Sequence, residues 1–156
     1  MPAALLSDRT VLRVAGEPAR HFLNNLVTTE IETLESGQAR YAALLTPQGK
    51  IVTDFFVVAA PNGEATFYIE CPAELAAELL QKLTFYRLRA KVAIERTDLC
   101  VVAVWGDGDI PSQGIAFTDP RLPSMGTRVL LSQDQARIPV ETGGAYDAHR
   151  IGLGVP

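Results

Sequence analysis

Tyr41-Ala-Ala-Leu-Leu-Thr-Pro-Gln-Gly-Lys-Ile-Val-Thr-Asp54 joins two apolar runs through a compact polar break. Proline presets φ for a turn and Gly49 permits a positive φ, so Thr46 to Lys50 reads as a tight hairpin. Gln38 to Leu45 and Ile51 to Ala60 are then its two strands. Asp54 lies just inside the second, among β-branched and aromatic neighbours. A carboxylate there is costly to bury unless something hydrogen-bonds it. Two readings stand for Asp54: an edge-strand acid facing water, or the acceptor for a ligand rich in N–H donors.

Working outward, Thr10 to Ala15 alternates as a short strand and stops at Gly16. Glu17 to Val27 reads as a helix, with Pro18 in its first turn, where a missing N–H costs nothing. Asn62-Gly63 signals a second hairpin, leading into a strand from Glu64 to Cys71. Leu75, Leu79, Leu80 and Leu83 make an apolar stripe, placing a helix over Ala73 to Tyr86. Strands are expected at Arg89 to Glu95, Leu99 to Trp105 and Thr127 to Ser132. Gly106-Asp-Gly-Asp109 is expected to turn, and its likeness to a calcium loop fails for want of the closing Glu. The Pro-, Gly- and Ser-rich stretch from Ile110 to Gly126 is expected to be loop or a short edge strand. Gly144 to Gly152 is expected to form a short helix. This order predicts an α+β plait, a mixed or antiparallel sheet with helices packed on it.

At 156 residues the chain suffices for one core or two small lobes. A hydrophobic content of 47% with 21% charged residues is that of a globular domain. The net charge of −4 and the lack of a Lys/Arg block argue against electrostatic DNA binding. No run of 18 apolar residues predicts a membrane helix. Cys71 and Cys100 lack a C-x-x-C context, and no secretory leader precedes the first apolar patch, so a reduced cytoplasmic protein is expected. The Phe85-Tyr-Arg-Leu-Arg89 cluster has two readings. It can stack a planar ring and pair an anionic tail, or its arginines can simply complement a helix C-terminus.

Five segments resemble, in order, the YgfZ family of folate-binding proteins, relatives of the glycine-cleavage T-protein. They are Val14 to Thr28, Tyr41 to Asp54, Tyr86-Arg-Leu-Arg-Ala-Lys-Val92, Asp119-Pro-Arg121 and Tyr146-Asp-Ala-His-Arg-Ile-Gly-Leu-Gly-Val-Pro156. The resemblance implies a folate-binding fold of the GcvT/YgfZ N-terminal type, with tetrahydrofolate or a one-carbon derivative as cofactor. It implies a role in iron–sulfur cluster assembly or repair, with the assembly machinery or client proteins as partners, and through them in tRNA modification. Asp54 matches the T-protein aspartate at the folate's reactive nitrogens. Tyr86 is then a candidate for ring stacking, Arg87 and Arg89 for the glutamate tail, and Asn24, Asn25 and Thr28 for lining the same cleft.

Departures from the family pattern keep rivals open. Thr53 stands where the T-protein is often acidic, and its Thr-Gly-Tyr-Thr-Gly-Glu motif has no copy. A folate-dependent aminomethyltransferase and a non-catalytic binding scaffold are the alternatives. The YgfZ signature Lys-Gly-Cys-Tyr-x-Gly-Gln-Glu and the C-terminal barrel would follow Pro156, so the resemblance implies residues 1–156 are the family's N-terminal region. An apolar face left open there predicts self-association.

Overall fold

The computed structural model describes residues 3–106, 110–111, 114–133 and 143–155. The Gly106–Asp109 turn expected from sequence falls mostly outside them. The first sheet is built by β2 (Arg9–Ala15), β3 (Ala39–Leu45), β4 (Ile51–Ala59), β5 (Thr66–Pro72) and β6 (Ala93–Arg96), in the order β3-β4-β5-β2-β6. The second has the order β1-β7-β9-β8, from β1 (Ala3–Leu5), β7 (Cys100–Val104), β8 (Ile115–Thr118) and β9 (Thr127–Leu131). Every strand pair in both sheets is antiparallel. The helices are α1 (Ala19–Leu26), α2 (Ala76–Arg87) and α3 (Gly143–Gly152).

The 46–50 turn forms as its composition dictates. The Thr46 N–H donates to the Lys50 carbonyl at 2.7 Å, and Gly49 takes φ +86. The register shifts between Leu44 and Leu45, a bulge that sets Leu45 opposite Ile51. Beyond it β4 is almost continuously apolar, and the reason is burial on both faces. Phe55 and Val57 pack with Leu23 of α1 and with Leu79 and Leu83 of α2. Phe56 and Val58 turn the other way, onto Val101, Ala103, Phe117 and Leu130 of the second sheet. The protein is therefore layered: α1 and α2, the five-stranded sheet, then the four-stranded sheet, with α3 against β1.

The α+β class and the antiparallel pairing hold, but the strands divide between two sheets, and only α1 and α2 share the helical face while α3 packs against β1. The strand expected at Arg89 to Glu95 begins only at Ala93, because the chain leaving α2 first makes a reverse turn. The sequence reading also missed β1, whose partner β7 lies about a hundred residues downstream, Ala3 opposite Val104. The Ile110 to Gly126 stretch does supply a short edge strand, β8.

Gly126 ties the second sheet together. It has φ +100, and a Cβ built there would lie 2.2 Å from the Val104 carbonyl oxygen and 2.9 Å from the Trp105 Cα. Its own carbonyl accepts the Asp119 N–H at 2.9 Å, so this close approach also positions Asp119. Both obstructing atoms are backbone and cannot swing aside. Gly126→Ala is expected to destabilise the fold by about 1–3 kcal/mol or more, the range for a strained backbone site; a chemical-denaturation midpoint equal to that of the parent would refute this packing.

Candidate functional site

Glu70 is fully buried between the two sheets. Its strand neighbours explain how it came there: Tyr68 and Glu70 share the face of β5 opposite Phe67, Ile69 and Cys71, and that face meets the second sheet. An isolated carboxylate could not stay ionised in such a place. Two arginines hold it. Arg9 of β2 donates its Nε to one carboxylate oxygen and Arg128 of β9 donates to the other. Arg128 also donates to the Tyr146 hydroxyl of α3 at 3.0 Å and lies over the Phe56 ring, 4.6 Å from its centroid. Burial works against the Arg128 charge, but the adjacent Glu70 carboxylate and Tyr146 oxygen overcome this and raise its pKa.

A second ion pair abuts the first. Asp119, buried, accepts two hydrogen bonds from the Arg121 side chain, at 2.8 and 3.1 Å. The Arg121 guanidinium lies 5.0 Å from the Phe56 ring centre and 5.8 Å from that of Tyr41. Tyr41 in turn donates its phenol to the Asp54 carboxylate. Both residues project from the hairpin on the Phe56 side, toward the second sheet. One polar chain thus runs from Asp54 through Tyr41, Arg121 and Tyr146 to Arg128, Glu70 and Arg9. At its far end Arg9, Arg121, Arg128, Arg150 and Tyr146 line a cavity of about 200 Å³ together with Asp8 and Asp147. The buried Arg128 Nε carries no hydrogen-bond partner. Trp105, the sole tryptophan, stands edge-on to Tyr146 and stacks on His149 beside this cavity.

The residues predicted from sequence separate onto two faces. Asn25, Tyr86, Arg87 and Arg89 come together in a groove of about 260 Å³ on the helical side, where Phe22 and Leu26 also line it. Asp54 stands on the opposite side of the five-stranded sheet. Asn24 is occupied structurally, its Oδ1 accepting the Ile31 N–H at 2.7 Å. Thr28 pairs with β3, its hydroxyl accepting the Ala43 N–H at 3.0 Å. Sequence reasoning passed over Glu70, Arg9 and Arg128. A lone Arg inside Thr-Arg-Val-Leu-Leu and a lone Glu inside Phe-Tyr-Ile-Glu-Cys were the signal, opposite charges in otherwise apolar strands. Among the described residues, no group of three or more His, Cys, Asp or Glu is placed to hold a metal ion.

Removing one partner of a buried pair leaves the other charged and desolvated. Glu70→Ala is expected to cost about 3–5 kcal/mol, read by urea denaturation, because Arg128 then loses its counter-ion; a cost below that of an ordinary surface substitution would contradict the buried bridge. Tyr41 gives a pH prediction. Burial first, then the Asp54 carboxylate, push its pKa up to about 12. A raised folded-state pKa contributes stability fully present below the ordinary tyrosine value of about 10, and lost as pH climbs through about 12. Tyr41→Phe should flatten the fall in stability across that window; identical alkaline profiles would argue against the bond to Asp54.

Comparison with known proteins adds to this geometry. The profile of the GCVT N-terminal domain matches residues 6–108. The iron–sulfur cluster assembly factor IBA57 homolog, mitochondrial, of Neurospora crassa is 28% identical, over 97% of this chain and 40% of that protein. The Pyricularia oryzae homolog is 33% identical over 86% of this chain and 36% of its own length. The human iron–sulfur cluster assembly factor IBA57, mitochondrial, is 31% identical over 97% of this chain and 50% of its own length. The chain therefore spans half or less of the length of these relatives. The crystal structure of glycine cleavage system aminomethyltransferase T from Bartonella henselae superposes with a TM-score of 0.77 at 17% identity, covering 99% of this chain and 51% of that one, which establishes the fold. The cytoplasmic expectation is corrected by these relatives, which are named as mitochondrial proteins. It rested on two cysteines without a pairing context and on the lack of a secretory leader, and neither distinguishes one reducing compartment from another.

Proposed function

This chain belongs to the GCVT N-terminal domain family, and from that premise we propose that it binds a reduced folate and supports iron–sulfur cluster assembly, as a protein of the YgfZ type. The observation that carries the folate reading is the Asp54 carboxylate, held by the Tyr41 phenol beside the Arg121 guanidinium at the mouth of the inter-sheet network. A reduced pterin presents several N–H donors and a flat ring, and its tail ends in carboxylates. Asp54 is an acceptor for the first and Tyr41 a surface for the second. The cavity lined by Arg9, Arg121, Arg128 and Arg150, with Asp8 and Asp147 the acids beside them, offers cations to the third. The donor set therefore fits the group.

In this reading Asp54 orients the pterin and takes or returns a proton at a ring nitrogen, the work of a positioned carboxylate. The Tyr41 hydroxyl keeps Asp54 facing the ligand. Burial and the adjacent carboxylate push its pKa up to about 12, so it remains a donor well into alkaline solution. Arg121, anchored by Asp119, closes one side of the ring. When bound, the folate would accept a one-carbon unit at N5 or N10, or carry one there if it arrives as a one-carbon derivative. The assembly role draws on the IBA57 relatives, and tRNA modification would follow through client enzymes that need clusters.

Titration with tetrahydrofolate, followed by Trp105 fluorescence, tests the site. Asp54→Asn is expected to weaken binding by about 1–3 kcal/mol, the usual penalty for disrupting a charged hydrogen bond. Equal affinity in parent and variant would remove Asp54 from the site, and no saturable response in the parent would remove folate.

A further inference from the structure

After α2 the chain reverses through Arg87 to Ala90, and the Ala90 N–H donates to the Arg87 carbonyl at 2.8 Å. Leu88 has φ +48 and ψ −112, near the first central position of a type II′ turn. Glycine is the residue that suits this position; a branched side chain is strained there. The Leu88 side chain is also 85% exposed, and Phe85, three residues earlier, is 71% exposed. The backbone opposes this leucine and burial returns nothing, because the side chain stays in water; a glycine would relieve the strain at no cost in packing. A strained residue kept apolar and exposed points to a role outside the fold.

The surroundings indicate what that is. From Leu79 to Ile94 the chain carries Lys82, Arg87, Arg89 and Lys91 and no acid, although the whole protein has a net charge of −4. None of the residues lining the adjacent groove between α1 and this turn is acidic, and Phe22, Leu26 and Tyr86 give it an apolar wall. The nearby Glu32 is paired with His21 at 3.3 Å. We propose that the α1–α2 end is a docking surface for an acidic amphipathic helix of a partner protein, with Leu88 and Phe85 as the apolar knobs and Arg87, Arg89 and Lys91 pairing with its carboxylates. This mode uses an apolar face laid against a groove, with flanking charges choosing the partner. It is separate from the Asp54 face and stands whether or not folate binds there.

The test uses the purified chain and a fluorescently labelled synthetic helix, leucines along one face and glutamates on the other, with a twin bearing lysines for glutamates. The glutamate peptide should bind saturably, more weakly at high salt, and the lysine twin should not. Leu88→Gly should leave the melting temperature equal to or above that of the parent while weakening binding about tenfold or more. Arg87→Glu with Arg89→Glu should do the same through charge. The proposal fails if the glutamate peptide does not bind, if the twin binds as well, or if Leu88→Gly binds like the parent. It fails too if Leu88→Gly melts clearly earlier, since the leucine is then structural. Equal Leu88-dependent binding to phosphatidylglycerol vesicles would assign the patch to a membrane surface. Concentration-dependent dimers lost in Leu88→Gly would assign it to a second copy of this chain.

Discussion

The buried Glu70 carboxylate fixes how the two sheets meet. Hydrophobic contacts between Phe56, Val58, Phe117 and Leu130 would allow the sheets several alignments at similar free energy, because apolar burial is non-directional. A carboxylate that must receive a guanidinium from each sheet does not. Arg9 reaches it from its own sheet and Arg128 from the facing one, and Tyr146 of α3 then satisfies the far side of Arg128. Replacing such a bridge with well-fitted apolar side chains is often neutral or favourable for stability. Its contribution here is the register of one sheet over the other, and hence the position of Arg121 and Asp119 relative to the hairpin that bears Asp54.

Much of the first layer was legible in the sequence, because local chemistry decides it. The Pro47-Gln48-Gly49 turn, the leucine stripe of α2 and the proline at the start of α1 each act within a few residues. The second layer was not legible in the same way. Val101, Val102 and Ala103 fit any sheet, and nothing local says that Cys100–Val104 joins Ala3–Leu5 and not the hairpin strands. The unbroken apolar run Phe55 to Ala59 in β4 was the available clue, since a strand with one face in water would alternate.

The site divides along the same line. Asp54 stood out as a lone acid just past a legible turn, and its proposed role came from the resemblance to the T-protein. Glu70, Arg9 and Arg128 are ordinary charged residues until their strands are stacked, and only the stacking makes them a bridge. Tyr86, Arg87 and Arg89 attracted notice for a combination of ring and charge that the structure does bring together, with Asn25 as neighbour. They occupy the helical face, and Asp54 occupies the other. The molecule is thereby two-sided: polar side chains with buried anchors on one side, exposed apolar and basic groups on the other.

The two halves of the bridge are also separated in the order of synthesis. The helical layer and all five strands of the first sheet lie within residues 9–96, and they can collapse as soon as that length is released. The opposite face of that sheet then carries Glu70 with Arg9 alone, beside bare Phe56 and Val58, until β9 delivers Arg128 and α3 delivers Tyr146. For the intervening time the nascent chain presents an apolar surface with a half-paired acid in its middle. That is the kind of surface chaperones bind and aggregates grow from. The acid makes the wait safer, because a carboxylate still in water discourages a second apolar surface from covering it. The same residue that aligns the finished sheets thus guards the unfinished one.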